Sequence, residues 1–230
     1  MVQNGNTTGK QGTIVTIDGP AASGKSTTAR MLARRLGWLY LDTGAMYRAM
    51  TVKVLREHVP LNDPEAIGRL SETTTIELVA TADGTNVFLD GQDITGRVRT
   101  PEVDRAIGPV CEVPKVRDAM VRLQRGLAEG KCVVAEGRDM GTVAFPDADF
   151  KFYMTASIEE RAVRRKKDLE HQGVPVSIDE LKKDIERRDL RDRSRQHSPL
   201  AAAENAVVLD TSDLTVDEQV QYIIDRMGMH

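Results

Sequence analysis

The 230-residue sequence contains little cysteine, few aromatic residues and no long apolar run. Cys111 and Cys132 have neither the number nor the spacing of a disulfide framework or a metal site, so both are expected to be buried thiols. No apolar run approaches the roughly 20 residues that a membrane-spanning helix needs, so no membrane partner is predicted. The polar segment 1–12 lacks the apolar middle of a secretory signal, and we interpret it as a flexible tail on a cytoplasmic protein.

Charge and histidine usage exclude further classes of function. The formal net charge of −3 argues against a broad nucleic-acid-binding surface, and no nucleic acid partner is predicted. The four histidines show no metal-ligand spacing and form no Ser/His/Asp order. Arginine is nevertheless dense between residues 161 and 195, and this local bias requires an explanation.

Short apolar or β-branched segments alternate with helical patterns along much of the chain. Five of these segments are predicted to be buried strands, at residues 13–17, 38–41, 132–135, 150–154 and 206–209. Helices are predicted at residues 25–36, 44–58 and 216–227. Strands that alternate with helices are typical of the α/β class, and the sequence predicts a doubly wound, five-stranded parallel sheet.

The pattern changes between residues 62 and 113. Residues 74–80 and 86–89 flank a turn that contains Asp83-Gly84, which predicts an antiparallel hairpin, and a third short strand is expected near residues 94–98. Two helices, each with proline near its start, are predicted at residues 101–112 and 114–129. A small α+β insert at residues 62–113 is therefore predicted within a core domain made of residues 13–61 and 114–230.

The segment from Gly19 to Thr27 satisfies the pattern G-x-x-x-x-G-K-[ST] between a predicted strand and a predicted helix. Such a loop turns backbone N–H groups towards phosphate oxygens, and the positive end of the helix attracts negative charge. Lys25 is expected to reach the β and γ phosphates, and the Ser26 hydroxyl to ligate Mg²⁺. The alternative is a glycine-rich turn with an exposed lysine. We favour a triphosphate site formed by Gly19, Pro20, Ala21, Ala22, Ser23, Gly24, Lys25, Ser26 and Thr27.

Charged residues also follow two other predicted strands, at the sheet edge where ligands of open α/β sheets bind. Arg48 follows the second strand and is expected to grip an anionic substrate. Glu136 and Arg138 follow the third; Glu136 would orient Mg²⁺ or its water shell, and Arg138 would bridge two phosphates. The alternatives are a solvated helical charge at Arg48 and a surface loop with a local Arg138–Asp139 pair.

A helix with capping-box spacing is predicted from Ser177 to about residue 195. On it, Arg188, Asp192 and Arg195 are spaced i, i+4 and i+7, so that they share one face and could converge on one ligand. The alternative is a solvated helix laced by charge pairs.

The preceding helical segment carries further arginines, among them Arg161 and Arg165. A short, mobile basic lid at about residues 157–176 would explain them, because phosphoryl transfer must exclude water that would otherwise accept the phosphoryl group. These two arginines are therefore expected to contact ATP.

Together these residues resemble the bacterial cytidylate kinases, the CMP and dCMP kinases of the nucleoside monophosphate kinase group. The resemblance runs nearly end to end, and its most specific mark is Gly137-Arg138-Asp139-Met140-Gly141-Thr142. It implies transfer of the γ-phosphoryl group of ATP, with Mg²⁺, to CMP or dCMP as small-molecule partners. The sequence contains no evident oligomerisation stripe, and a monomer is expected.

Carried to matching positions, the resemblance implies specific roles. Arg48 and Arg138 would bind the acceptor phosphate, and Arg117 would read the cytosine edge. Arg188 and Asp192 would contact the ribose side, with Arg195 near the base. Lys25, Arg48 and Arg138 are the predicted catalytic residues, because electrostatic stabilisation of the transferring phosphoryl group is expected to dominate. The insert would bind the monophosphate. Substrate-binding roles are implied for Thr43, Tyr47, Arg48, Arg117, Arg138, Asp139, Arg188, Asp192 and Arg195.

Two positions depart from the family pattern. Gly108 stands where relatives usually carry serine in the base pocket, so discrimination against UMP is expected to be weaker. Glu136 stands where aspartate is common. Two other functions remain open from the residues: a kinase for another small acceptor, and a nucleotide-dependent switch that phosphorylates no small molecule.

Overall fold

The structure, a computed structural model, describes residues 12–81, 84–170 and 176–229. The predicted tail apart from residue 12, Asp83 of the predicted turn and residues 171–175 of the predicted lid lie outside these ranges. The elements are, in chain order, β1 (Ile14–Asp18), α1 (Lys25–Leu36), β2 (Leu39–Asp42), α2 (Thr43–Arg56), α3 (Pro64–Thr73), β3 (Ile76–Thr81), β4 (Gly84–Leu89), β5 (Gln92–Asp93), α4 (Pro101–Glu112), α5 (Pro114–Ala128), β6 (Val133–Gly137), a π-helical turn (Met140–Ala144), β7 (Phe150–Thr155), α6 (Ile158–Glu170), α7 (Ile178–Ser194), β8 (Val207–Asp210) and α8 (Val216–Met227).

The five predicted strands form one parallel sheet, which confirms the predicted fold class. Its strand order is β2-β6-β1-β7-β8, with β1 between β6 and β7. Asp18, the last residue of β1, lies beside Gly137 of β6 and Tyr153 of β7. Because the strands are parallel, the loops that follow β1, β2 and β6 meet at one edge of the sheet.

Apolar side chains bury both faces of this sheet. Helices α1 and α8 cover one face, where Val15, Ile17 and Leu32 are fully buried. Helices α2, α4 and α5 contribute to the core on the other face, which continues into the hairpin. Every residue of β6 is buried, as expected for a central parallel strand that is covered on both sides.

Residues 62–113 form a smaller sheet and two helices against α2. Strands β3 and β4 make the predicted antiparallel hairpin, and β5 pairs with β4 at Gln92–Asp93. The predicted third strand is therefore present, but its predicted position at residues 94–98 was wrong. Ile94 and Val98 are buried in a turn, where the N–H of Val98 bonds to the carbonyl of Ile94 at 3.3 Å. Helix α3 was not predicted, although Asp63 caps it by accepting from the N–H of Ala66 at 2.9 Å.

Helices α6 and α7 pack against each other through a small apolar cluster of Ala162, Leu181 and Ile185. The predicted capping box at the start of α7 is confirmed, because Ser177 and Glu180 each accept a backbone hydrogen bond from the other. Cys111 is buried as predicted, whereas Cys132, just before the amino end of β6, is only partly buried. None of the helices in the described ranges has the length and apolarity needed to cross a bilayer.

Candidate active site

The loop between β1 and α1 is shaped to approach a ligand with its backbone. A Cβ at Gly19 would lie 2.1 Å from the carbonyl oxygen of Met154, so no other residue fits there without rearrangement. Gly24, with φ of 90°, begins α1 without a side-chain cap, and Ser23 Oγ is buried without a hydrogen-bond partner. Uncapped N–H groups and a free hydroxyl at a helix N-terminus suit the phosphates of a nucleoside triphosphate.

Lys25 is buried at the start of α1, and its Nζ donates to the carbonyl of Pro20 at 3.1 Å. Burial, reinforced by the nearby Arg138, lowers the pKa of the Lys25 ammonium, while Glu136 opposes that shift. The alternative of an exposed lysine is therefore wrong. Burial and a neighbouring cation destabilise the charged form of this lysine, and the negative charge of a bound triphosphate would stabilise it.

Two oxygen donors that suit Mg²⁺ lie together beside this lysine. Ser26 Oγ donates to Glu136 Oε1 at 2.8 Å, and the Tyr40 hydroxyl lies 3.4 Å from the same oxygen. Burial raises the pKa of the Glu136 carboxyl, and Lys25 opposes this. A hydroxyl and a carboxylate are the hard oxygen ligands that Mg²⁺ prefers, so the donor set fits that ion.

Arg138 leaves the carboxyl end of β6 and reaches α7. Its Nε donates to Asp192 Oδ2 at 2.9 Å, and Arg195 donates to the other oxygen at 2.5 Å. Burial alone would raise the pKa of Asp192, but Arg138 and Arg195 hold it below its usual range. The alternative of a local Arg138–Asp139 pair is wrong. Asp192 and Arg195 lie together as their spacing predicted, and the contact of Asp192 with Arg138 was not predicted.

Arg188 lies one turn before Asp192 on α7 and is half-buried. No hydrogen bond or ion pair to its side chain is found in the part of the chain that the structure describes. Burial and the neighbouring Arg138 lower its pKa to about 10. A guanidinium that faces other guanidiniums without a direct partner marks a position for a bound anion.

Arg48 points from α2 towards the insert. Its Nη2 donates to Asp104 Oδ1 at 2.6 Å and its Nη1 to the carbonyl of Val98 at 3.1 Å. Arg165 of α6 donates to the other oxygen of Asp104 at 3.2 Å. The alternative of a solvated charge at Arg48 is therefore wrong. Asp104 contacts two candidate site arginines, and the sequence analysis did not single it out.

A second set of buried polar residues consists of Arg117, Asp139 and Tyr47. Arg117 forms an ion pair with Asp139, donates to the carbonyl of Cys111 at 3.1 Å and lies 5.4 Å above the Tyr47 ring. The Tyr47 hydroxyl, Arg117 Nε and Arg195 Nε are all buried without a partner. Unpaired polar atoms at such depth are costly, and they are explained by a polar ligand that completes their hydrogen bonds.

The Thr43 hydroxyl donates to the carbonyl of Glu136 at 2.7 Å and so ties α2 to β6. Gly108 was predicted to lie in the base pocket. It packs against α7, where a Cβ on residue 108 would lie 2.6 Å from Arg191 Nη1. The end of the Arg191 side chain thus covers the place that a side chain at position 108 would take.

The arginines of α6 divide between two places. Arg161 pairs with Asp189 at 2.6 Å and donates to the carbonyl of Ala21 in the phosphate loop at 3.3 Å, whereas Arg165 turns to α4. Arg164 donates to the carbonyl of Thr211 at 2.6 Å and lies 3.3 Å from the position of a Cβ on Gly24. Arginine density predicted a basic patch here, but not that Arg164 lies against the phosphate loop.

Asp18 is a further buried group that motif spacing did not reveal. Its carboxylate accepts the backbone N–H groups of Met140 and Gly141 at 2.9 and 2.8 Å. Burial raises the pKa of Asp18 to about 7, although both N–H groups oppose that shift. Asp18 therefore ties the start of the phosphate loop to the backbone directly after Arg138 and Asp139.

Comparison with known proteins identifies the family. The family model described as cytidylate kinase matches residues 15–228, nearly the whole chain. The chain belongs to the cytidylate kinase family. A cytidylate kinase from Caldanaerobacter subterraneus subsp. tengcongensis is 47% identical over 213 residues, covering 93% of both chains. One from Desulforamulus reducens is 48% identical over 210 residues, covering 91% of this chain and 94% of the relative.

Among solved structures, the crystal structure of TT1252 from Thermus thermophilus aligns with a TM-score of 0.46 at 19% identity, covering 95% of this chain and 99% of that one. The phosphate loop and the arginine cluster described above both lie inside the matched range of the cytidylate kinase model.

Proposed function

We propose that this member of the cytidylate kinase family transfers the γ-phosphoryl group of ATP to the phosphate of CMP or dCMP, forming ADP and CDP or dCDP. The position of Arg138 carries the proposal. Its guanidinium is close enough to Lys25 to lower the pKa of that ammonium, and it is anchored to Asp192 on the opposite helix. A cation between the phosphate loop and a second arginine cluster suits a phosphoryl group that moves between two anionic substrates.

On the donor side, ATP would lie with its phosphates on the loop from Gly19 to Thr27. Lys25 would exchange its bond to the carbonyl of Pro20 for the β and γ phosphates. Ser26 and Glu136 would hold Mg²⁺, which neutralises phosphate charge when bound. Arg161 next to Ala21, and Arg164 next to Gly24, would close over the donor.

On the acceptor side, Arg48, Arg138 and Arg188 would bind the monophosphate. These guanidiniums come from α2, the loop after β6 and α7, so together they surround an anion. Asp192 and Arg195 would contact the ribose and the base on the other side of the cluster.

The base would lie against the buried group below these arginines. Arg117, held by Asp139 and by the Tyr47 ring, would read the cytosine edge, and Thr43 would shape the pocket wall through its bond to the backbone of β6. The free hydroxyl of Tyr47 and the free Nε of Arg117 would then gain partners.

In the transfer step, an oxygen of the acceptor phosphate bonds to the γ phosphorus, and the bond from that phosphorus to the bridging oxygen of ADP breaks. The acceptor is already ionised, so no general base is needed. Electrostatic stabilisation by Lys25 and Arg138 is expected to supply most of the catalysis. Residues near the α6–α7 pair would exclude water that competes as an acceptor.

Several finer assignments belong to the same proposal. Residues 62–113 would act as the monophosphate-binding insert and residues 157–176 as the lid, within a core of residues 13–61 and 114–230. The protein would act as a monomer in the cytoplasm, with small nucleotides as its partners and no nucleic acid.

A coupled assay of ADP production tests the proposal. ATP and Mg²⁺ are supplied with CMP, dCMP, UMP, dUMP, AMP or GMP separately, beside a control without acceptor. Turnover chiefly with CMP and dCMP is expected. ADP production that does not depend on any acceptor would contradict a monophosphate kinase.

A further inference from the structure

One carboxylate in the site has no assigned role. Asp104, in the first turn of α4, accepts from Arg48 of α2 at 2.6 Å and from Arg165 of α6 at 3.2 Å. One anion thus joins guanidiniums from two elements that are separate in the chain, using one oxygen for each. This is the way in which a phosphate group binds paired arginines.

Asp104 is an anion in this setting. Burial by itself would raise its pKa, but Arg48, Arg165 and Arg188 outweigh that and hold the pKa below its usual range. The two guanidiniums that it contacts are partly shielded, with 11% of the Arg48 side chain and 34% of the Arg165 side chain exposed. Charge interactions in such a place are screened less by solvent than on an open surface.

Both terminal nitrogens of the Arg48 guanidinium have hydrogen-bond partners in the insert. Its Nη2 donates to Asp104 and its Nη1 to the carbonyl of Val98, so that residues of the insert hold both nitrogens. Arg188, in contrast, interacts with Asp104 only at longer range, and no hydrogen bond or ion pair to its side chain is found among the described residues. An acceptor phosphate can therefore meet Arg188 directly, but must share or displace a carboxylate to reach Arg48.

We propose that Asp104 is an internal anion that competes with the phosphate of the acceptor nucleotide for Arg48, and so sets the affinity of the enzyme for its acceptor. The inference rests on the proposed role of Arg48 in phosphate binding. A dianionic phosphate and a carboxylate that share one guanidinium repel each other, which weakens the acceptor complex. Asp104 also connects α4 of the insert to α6, so that acceptor binding would loosen this connection.

The test removes the charge of the Asp104 side chain and keeps its shape. For Asp104→Asn, the Kd of CMP, measured by calorimetry without ATP, is expected to fall about three- to tenfold at low salt, and the KM for CMP to fall with it. The gain should shrink at high salt, because added ions screen the repulsion that the substitution removes. Asp104→Glu, which keeps the charge, should retain a Kd near that of the parent.

Glu102→Gln is the matched control, because Glu102 is an exposed carboxylate in the same first turn of α4. It should leave the Kd of CMP unchanged, and thermal unfolding of each variant establishes that the fold is kept. An unchanged Kd for Asp104→Asn would overturn the proposal. A weakened Kd would also overturn it, because Asp104 would then orient Arg48 for the substrate. Absence of CMP turnover in the parent would instead contradict the proposed function.

Discussion

Arg138 and Asp192 form an ion pair of 2.9 Å between the loop after β6 and helix α7. The pair fixes a guanidinium near the ammonium of Lys25, between the proposed donor and acceptor sites. Asp192 is nearly fully buried and also holds Arg195. This arrangement places the cation before substrate arrives, which lowers the cost of reorganisation during the reaction.

Substitution of Arg138 by alanine should therefore reduce kcat by about a thousandfold, because an arginine that stabilises a transferring phosphoryl group contributes on that order. The fold should survive, as measured by thermal unfolding. Arg187→Ala removes an exposed arginine from α7, the helix that anchors Arg138, and should leave kcat unchanged. A folded Arg138→Ala enzyme whose kcat stays within tenfold of the parent would refute the assigned role.

The buried carboxyl of Asp18 should make stability depend on pH. Burial raises its pKa from 3.8 to about 7, with Asp139 adding to the shift and the N–H groups of Met140 and Gly141 and the charge of Arg138 opposing it. Between these two values the folded state binds more protons than the unfolded state. The contribution of Asp18 to the free energy of unfolding therefore falls as pH rises through this window, by at most about 1.4 kcal/mol per pH unit.

Denaturant unfolding of the parent and of Asp18→Asn, at pH 5 and pH 7.5, measures this contribution. The difference between parent and variant should change with pH in favour of the parent at pH 5. Asp149→Asn is the control, because Asp149 is an exposed aspartate that accepts the N–H of Ile14 at the other end of β1. Parallel pH curves for the parent and Asp18→Asn would show that Asp18 does not titrate in this window.

Nucleotide binding should take up protons at Lys25. Burial and Arg138 lower the pKa of the ammonium in the free protein, and a bound triphosphate would raise it again. Calorimetry of ATP binding at pH 8, in buffers with different enthalpies of ionisation, should show net proton uptake. A binding enthalpy that is independent of the buffer would contradict the lowered pKa.

Gly108 should affect the choice of base. Gly108→Ser would restore a hydroxyl, whose hydrogen bond to cytosine is worth about 0.5 to 1.5 kcal/mol, and should raise the preference for CMP over UMP about two- to tenfold. The new Cβ requires only the flexible end of Arg191 to move. Gly126→Ser, at an exposed position of α5 with open space around it, is the matched control. An unchanged ratio of kcat/KM values for CMP and UMP would contradict a base-pocket role.

Local signals in the sequence located most elements of the fold. Helices α1, α4 and α8 have the predicted bounds, and the five sheet strands lie within two residues of their predicted positions. The error near residues 94–98 has a physical reason: Ile94 and Val98 are buried because a turn points both inward, and an apolar pair at that spacing resembles the pattern of a strand.

The candidate site could be located from the sequence where its residues lie within one motif. The phosphate loop, and the grouping of Asp192 with Arg195, follow from spacing along one segment. Asp18 bonds to Gly141 across 123 positions, and Asp104 bonds to Arg165 across 61, so no local period encodes either contact. Arg164 belongs to the arginine-rich stretch that the sequence shows. Its contact with the phosphate loop depends on how α6 packs there, which the sequence pattern does not encode.

The central claim is direct transfer between two nucleotides, and the most direct measurement follows the γ-phosphoryl group itself. ATP labelled in that group is incubated with the enzyme, Mg²⁺ and CMP, and the labelled products are separated. The account predicts that the label appears in CDP in equal amount to the ADP formed. Label released chiefly as inorganic phosphate, at a rate independent of CMP, would contradict it.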